Sequence, residues 1–186
     1  MTRASPARDM PLMTLGHSNR SIDDFLGVLQ DSHIERVVDV RTFPRSRTHP
    51  HFNIETLPAS LAAVGVAYDY LPDLGGRRRK SKEIDPAVNA FWRVSGFHNY
   101  ADHAMSDAFQ ASLRKLLALA DERRTAMMCS EVLWWRCHRR IITDYAIASG
   151  RDVVHVFDVG HSELGRMTPA AIVRTDGLLA YPATDT

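Results

Sequence analysis

The chain has 186 residues, of which 45% are hydrophobic and 24% are charged, and its formal net charge is +1. These values fit one folded domain with a sizeable core. No apolar run approaches the roughly 20 residues that cross a bilayer, and the first residues lack the apolar stretch of a signal peptide. Two cysteines are too few for a disulfide framework. We therefore expect a soluble protein of the reducing cytoplasm, with a flexible leader over 1–12, a single domain over 13–175 and an irregular tail over 176–186.

The first half of the sequence predicts alternating strands and helices. The segment MTLGHSN predicts a strand that ends at Gly16, SIDDFLGVLQDSHI a helix capped by Ser21, and RVVDVR a buried strand. After a loop interrupted by Pro44 and Pro50, IETLPASLAAVG predicts a second helix and VAYDYLP a third strand. This order is typical of βαβ units in a parallel sheet.

The second half continues the pattern after a long exposed loop, DLGGRRRKSKEIDPAVN. The segment NYADHAMSDAFQASLRKLLALADE predicts one helix, RTAMMCSE a central strand, CHRRIITDYAIASG a helix that ends at Gly150, and RDVVHVFD a last strand. We therefore predict a single α/β domain with a mainly parallel central sheet flanked by helices.

Three polar segments follow predicted strands: GHSNR, RTFPRSR and CSEVLWWRCHRR. Ligands of open parallel sheets bind outside the carboxyl ends of the strands, so these segments should meet at one edge of the sheet. Polar residues also end strands for no functional reason, because most turns are polar. The hypothesis of a shared site therefore depends on the three segments lining one cavity.

The third segment contains both cysteines, and two kinds of site compete for them. Cys129, Cys137, His138 and His17 are possible zinc ligands, but seven residues separate the cysteines and a C-x-x-C pair is absent. We therefore expect no metal and no cofactor. Cys129 is also a possible nucleophile near arginines. However, six bulky residues separate Cys129 from Arg136, whereas the glycine-rich loops of phosphatases have five residues between the cysteine and the arginine. A small buried hydrophobe is the simpler interpretation of Cys129.

Two carboxylates are candidates for acid or base chemistry. Glu131, flanked by Trp134 and Trp135, would have a raised pKa if the tryptophans desolvate it. Asp39 is close to Arg41 in sequence, which would keep it ionised. We therefore predict that Glu131 is the catalytic group and Asp39 the residue that organises the arginines. Either carboxylate could instead simply pair with an arginine.

The arginines and aromatic residues of these segments indicate a phosphate-rich partner. Guanidinium groups bind phosphate in a bidentate manner, and aromatic side chains stack on bases. A solvated basic loop and ordinary core aromatics are the alternatives. We predict DNA, or another nucleic acid, as the partner and no membrane. The candidate substrate-binding residues are His17, Ser18, Asn19, Arg20, Arg41, Phe43, Arg45, Arg47, Tyr100, Cys129, Trp134, Trp135, His138 and Arg139.

Four motifs in this order resemble a known family: TLGHSNRSIDDFLGVL, VVDVRTFPRSR, LPDLGG and MMCSEVLWWRCHRRIITDYA. The chain resembles the family called domain of unknown function 488, from about Met13 to Phe157. The family is marked by a G-H-S turn, a D-V-R strand end, an L-G-G turn and a C-x-E stretch that leads to C-H-R. Some members are associated with a DNA glycosylase activity that removes adenine methylated on its exocyclic amine. The resemblance therefore implies base excision.

A base-excision enzyme extrudes the base, holds it on aromatic surfaces and uses a carboxylate to orient water. In this chain Glu131 or Asp39 would supply the carboxylate, and Trp134 or Tyr100 the stacking surface. No lysine stands out as a Schiff-base nucleophile, so we expect a monofunctional glycosylase. Two other functions remain open: a non-catalytic protein that binds nucleic acid or nucleotides, and a thiol enzyme centred on Cys129.

Overall fold

Strands form the centre of the structure, a computed structural model in which residues 10–184 are described. The strands in this part of the chain are β1 (Leu12–Gly16), β2 (Arg36–Asp39), β3 (Ala67–Tyr70), β4 (Thr125–Cys129), β5 (Val153–Asp158), β6 (His161–Leu164), β7 (Ile172–Val173) and β8 (Leu179–Ala180). Six of them form one sheet in the order β3-β2-β4-β1-β5-β6. All neighbours pair in parallel except β5 and β6. The predicted α/β fold with a mainly parallel sheet is confirmed.

Helices cover both faces of the sheet. Those within residues 10–184 are α1 (Ile22–Asp31), α2 (Leu57–Ala62), α3 (Ser95–Ala104), α4 (Asp107–Glu122) and α5 (Arg139–Ala148). Helices α1 and α2 pack on one face, and α3, α4 and α5 pack on the other. None of these helices is long and apolar enough to cross a membrane.

Side chains of β4 alternate between the two apolar cores, as expected for a strand buried on both faces. Ala126 and Met128 contribute to the core beneath α1 and α2, whereas Met127 and Cys129 contribute to the core beneath α3, α4 and α5. Cys129 therefore lies at the end of the strand, on the side of the sheet that α5 covers.

Three details differ from the sequence-based expectation. The single helix predicted before β4 is two helices, because the Ser106 hydroxyl accepts a hydrogen bond from the Phe109 N–H and starts α4 there. The strand predicted to be last, β5, is followed by a turn at Gly160 and by β6, which pairs with β5 in the antiparallel direction. The expected irregular tail contains β8 and the fully buried Tyr181.

The predicted leader also differs in part, since its last residue, Leu12, begins β1. Residues 1–9 and 185–186 of the predicted leader and tail lie outside the described residues.

Strands β1, β2 and β4 end side by side, and their following segments continue the pairing. Gly16 is in register with Cys129, and the next amides of the first segment, those of His17 and Ser18, donate to the carbonyls of Cys129 and Ser130. On the other side of β4, the Val40 N–H donates to the Met128 carbonyl. The three polar segments therefore leave the sheet at one edge, as the sequence predicted.

This arrangement requires a glycine at position 16. A β-carbon there would overlap the carbonyl group of Glu131. We expect Gly16→Ala to lower the free energy of unfolding by about 1–3 kcal/mol or more, because backbone must move to remove the overlap. Chemical denaturation of the purified variant measures this change.

Gly27→Ala in α1 is the matched control, because nothing lies within 4 Å of a β-carbon at that position. There alanine should raise the stability by up to about 1 kcal/mol through helix propensity. Equal stability of the two variants would contradict the close packing of β1 against the segment after β4.

Candidate functional site

The three segments surround one open cleft with a volume of about 990 Å³. The side chains of His17, Arg41 and Glu131, one from each segment, all line it. The cleft therefore confirms that the segments share one cavity. Other candidate residues that line it are Ser18, Asn19, Phe43, Arg45, Tyr100, Cys129 and His138.

A buried polar network lies at the carboxyl ends of β1 and β2, in the wall of the cleft. Asp39 is inaccessible to solvent, and it accepts hydrogen bonds from Arg41 Nε at 2.9 Å and Nη2 at 2.6 Å and from the Tyr68 hydroxyl at 2.7 Å. Arg41 also donates through Nη2 to the Phe52 carbonyl at 2.7 Å. Both carboxylate oxygens of Asp39 are thus occupied. Asp39 organises Arg41 and does not reach the cleft.

His17 extends this network toward the cleft. Its Nδ1 donates to the Ser18 carbonyl at 2.8 Å, so its Nε2 is free to accept from Arg41 Nη1 at 3.2 Å. The ring also stacks on Phe52 with centroids 4.2 Å apart. Burial, together with the Arg41 charge, lowers the pKa of His17 from 6.5 to about 4. His17 is therefore neutral at physiological pH.

The two cysteines meet in another part of the cleft wall. Cys129 Sγ lies 4.0 Å from His138 Nδ1, and Cys137 Sγ lies 3.5 Å from the same atom. Burial alone would raise the pKa of Cys137, but the hydrogen bond with Cys129 and the nearby Arg139 charge lower it to about 6. The same hydrogen bond and burial raise the pKa of Cys129 to about 12.

The more acidic thiol is thus Cys137. This contradicts the expectation that the arginines would favour a thiolate at Cys129, because the positive charge of Arg139 lies against Cys137. The Arg139 Nε donates to Cys137 Sγ at 3.4 Å. A thiol enzyme centred on Cys129 is not supported by this geometry.

Aromatic side chains form a third part of the cleft, at its wall and its mouth. Tyr100 is buried in the wall, where its hydroxyl donates to the Leu74 carbonyl at 2.6 Å and its ring meets His138 edge-on. Phe97 lines the cleft and stacks on the buried Trp92, at a centroid distance of 5.0 Å. Phe43 lies at the mouth and is 66% exposed. The mouth of the cleft therefore presents an exposed aromatic ring to solvent.

The arginines fall into two groups. Arg139 is 1% exposed, and its partners are Thr14, Cys137 and the carbonyls of Glu131 and Val132. Arg20 donates to the carbonyls of Gly16 and Phe157. Neither lines the cleft, because their donors bond to backbone carbonyls at the strand ends and in the segment after β4. This geometry does not support the predicted phosphate contact of Arg139 or the predicted substrate contact of Arg20.

The exposed arginines of the three polar segments and the basic loop include Arg45, Arg47, Arg77 and Arg136. Arg45, Arg77 and Arg136 line the cleft, whereas Arg47 lies outside it. Arg45 is paired with Glu55 at the surface, where such pairs contribute little to stability. The Arg77 guanidinium lies 5.9 Å from the centroid of the exposed Phe43 ring. A cationic group thus lies beside an exposed aromatic ring at the mouth.

Glu131 lies in the cleft but is not desolvated. Its side chain is exposed, and the carboxylate accepts from the Leu133 N–H at 3.2 Å. Of the two candidate carboxylates, Asp39 has the drier environment, the reverse of the expectation. The reason is that the flanking tryptophans point elsewhere.

Trp134 and Trp135 turn toward β5 and not toward the cleft. Trp134 stacks on His155 at a centroid distance of 4.2 Å and donates through Nε1 to Glu163 at 2.6 Å. Trp135 is close to Phe157. Their predicted stacking on a base has no support in this geometry, because a short 3₁₀ turn at Trp134–Arg136 directs both rings away.

Several residues of the cleft are not among the candidates that the sequence predicted. Phe97, Val94 and Gly96 come from the start of α3, which does not follow a strand. Gly76 and Arg77 come from the basic loop, whose role the sequence did not indicate. Only the packing of α3 and of this loop across the sheet edge brings these residues to the cleft.

Comparison with known proteins identifies one relationship. The model of a protein family described as domain of unknown function DUF488 matches residues 21–146. No curated protein and no solved structure matches the chain. The matched range includes Asp39, Arg41 and the whole segment from Cys129 to Arg139, so most of the cleft lies within it.

The neutral state of His17 makes stability depend on pH. The unfolded chain binds a proton at this residue below about pH 6.5, whereas the folded chain does so only near pH 4. The free energy of unfolding should therefore fall as the pH decreases from 6.5 to 4, at about 1.4 kcal/mol per unit of pKa difference. Denaturation at a series of pH values measures this loss.

His17→Gln should reduce the slope of that loss, because the variant has no proton to bind at this position. His161→Gln, at an exposed histidine, is the control and should keep the parent slope. Buried His155 also has a lowered pKa, of about 3, so part of the slope should survive in both variants. An unchanged slope in His17→Gln would contradict the assignment of a neutral His17.

Proposed function

Because the chain belongs to the family described as domain of unknown function DUF488, whose description names no activity, we propose a function from the cleft itself. The protein binds DNA and hydrolyses the N-glycosidic bond of a modified base, with adenine methylated on its exocyclic amine as the substrate. The observation that carries this proposal is a single cleft that combines an accessible carboxylate, an aromatic wall and a cationic mouth. We place the protein in the cytoplasm, in keeping with its two free thiols.

The shape of the cleft supports a substrate that is taken out of a duplex. Its volume of about 990 Å³ is at the upper end for small-molecule pockets, about 300–1,000 Å³, which leaves room for an extruded nucleotide and a water molecule. Base extrusion costs a few kcal/mol of stacking energy. The exposed Phe43 ring offers an apolar surface that replaces part of that stacking at the mouth.

The arginines at the mouth support a polyanionic partner. Arg45, Arg77 and Arg136 are accessible and lie around the opening, where they would hold the phosphates on either side of an extruded nucleotide. The overall charge of +1 does not oppose this function, because three exposed arginines line the cleft.

In the proposed mechanism Glu131 orients the attacking water. Its carboxylate is accessible in the free protein, and bound DNA would exclude solvent around it and strengthen its interaction with the positive charge that develops on the sugar. Asp39 has no free carboxylate oxygen and acts through Arg41 and His17. No lysine lies among the cleft residues of the described part of the chain, which favours direct hydrolysis over a Schiff-base intermediate.

Single-turnover excision from a duplex with one methylated adenine tests this mechanism. Glu131→Gln should lower the rate by about 10²–10⁴, because the amide cannot accept the proton of water, while DNA binding and the melting temperature stay at parent values. Glu83→Gln, at an exposed glutamate outside the cleft, is the control. Asp39→Asn should lower stability and activity together, because it breaks a buried ion pair.

A parent protein that releases no base from a panel of modified duplexes would refute the proposed activity. If the parent is active and Glu131→Gln excises at the same rate, the activity stands and the role of Glu131 is wrong.

DNA binding is tested separately by its dependence on salt. The affinity should fall steeply with salt, and each lost phosphate contact should reduce the slope by about one unit. We expect this reduction for Arg45→Ala, Arg77→Ala and Arg136→Ala, without a change in sequence preference. Arg114→Ala, on the exposed surface of α4, should behave as the parent. Binding that does not depend on salt would contradict a phosphate interface at the mouth.

A further inference from the structure

Three potential metal ligands converge in the cleft wall, although the cysteine spacing predicted no metal site. The Sγ atoms of Cys129 and Cys137 and the Nδ1 of His138 all lie within 4.8 Å of one another, and the two sulfur-to-nitrogen distances are 4.0 and 3.5 Å. The ligand atoms of a tetrahedral zinc site are about 3.5–3.8 Å apart, given Zn–S bonds of about 2.3 Å and Zn–N bonds of about 2.0–2.1 Å. Small side-chain movements would bring the three donors to these distances.

His138 is held in the tautomer that a metal ligand requires. Its Nε2 lies 2.9 Å from the Val40 carbonyl oxygen, which can only accept, so Nε2 carries the proton. The Nδ1 lone pair therefore lies on the side of the ring that the two sulfur atoms approach. Metal-binding histidines usually have such a hydrogen bond from the second nitrogen to a carbonyl or carboxylate.

Gly76 lies against the face of the His138 ring. A β-carbon at Gly76 would lie 2.9 Å from Nδ1 and 3.2 Å from Cγ, closer than ordinary van der Waals contact, and 3.5 Å from Cε1. Glycine at this position therefore lets the ring keep its place beside the two sulfur atoms. All three donors line the cleft, so the cluster is reached from solvent.

A polar contact also orients one of the two sulfur atoms. Cys137 Sγ accepts a hydrogen bond from Arg139 Nε at 3.4 Å. A hydrogen bond of this kind orients a metal-bound thiolate from the second shell of a site. The Cys129 thiol would release its proton when a metal binds, as protein thiols do in zinc sites.

We propose that Cys129, Cys137 and His138 bind a thiophilic divalent cation, Zn²⁺, with a fourth coordination position open to the cleft. The absence of a C-x-x-C pair does not argue against this site, because the ligands do not come from one tight turn. Cys129 ends β4, and Cys137 and His138 precede α5, so the sheet and the helix together form the site.

An open fourth position distinguishes this site from a purely structural zinc site, which has four protein ligands. A water molecule at that position would have its pKa lowered toward about 7. No step of the proposed base excision depends on the metal, and the metal site does not depend on that activity.

Cobalt(II) substitution tests the site in the full-length chain. The protein is reduced with a phosphine, freed of metal by chelation and titrated with Co²⁺. We expect one Co²⁺ per chain, a thiolate-to-cobalt charge-transfer band in the near ultraviolet and the visible bands of tetrahedral cobalt. Zn²⁺ should displace the cobalt and protect both cysteines of the unaltered chain from alkylation, a measurement that needs no variant.

Variants then assign the ligands. Cys137→Ser and His138→Gln should weaken Co²⁺ binding by more than the roughly 10–100-fold typical of second-shell changes. Gly76→Ala keeps every ligand but should also weaken binding, because its methyl group would push the His138 ring out of its present position. His49→Gln is the matched control, since His49 lines the same cleft outside the cluster.

Two results would overturn the proposal. The first is a reduced parent chain that shows no charge-transfer band and no protection of its cysteines by Zn²⁺. The second is Co²⁺ binding by folded Cys137→Ser and His138→Gln proteins with the affinity of the parent, which would place the ion elsewhere.

Discussion

The buried ion pair between Asp39 and Arg41 is the interaction on which the cleft depends. It lies at the end of β2, and its hydrogen bonds reach Tyr68 on β3, the carbonyl of Phe52 in the loop before α2, and His17 after β1. Burying two charges carries a desolvation penalty that only near-complete hydrogen bonding offsets. Four separate parts of the chain are therefore held in one arrangement by a group of charges that tolerates little displacement.

A similar constraint explains why the arginines separate into two populations. Backbone carbonyls are left at the carboxyl ends of β1 and β5 and in the segment after β4. Arg20 and Arg139 bond to them, each with a fork of donors that reaches two carbonyls. Within the described residues the side chains of Arg45, Arg77 and Arg136 donate to no backbone carbonyl, so their charge stays available at the mouth of the cleft.

The predictions that depended on local pattern were the successful ones. Apolar periodicity and the caps at Ser21 and Gly150 predicted most elements, and the rule that parallel strands carry ligands at their carboxyl ends predicted that His17, Arg41 and Glu131 share a cleft. The proximity of Asp39 and Arg41 in sequence also indicated their pairing. In each case the partners are close in the chain or are related by the regular geometry of the sheet.

The sequence by itself therefore determined the fold class, the edge of the sheet that bears the site, and most of the side chains at that edge. Only the tertiary structure decided which of them reach the cleft. It turned Trp134 and Trp135 onto β5, buried Arg139, left Glu131 in solvent and brought Cys129, Cys137 and His138 together. Side-chain direction after a strand end depends on packing against distant elements such as β5 and α3, and these contacts leave no periodic signal in the sequence.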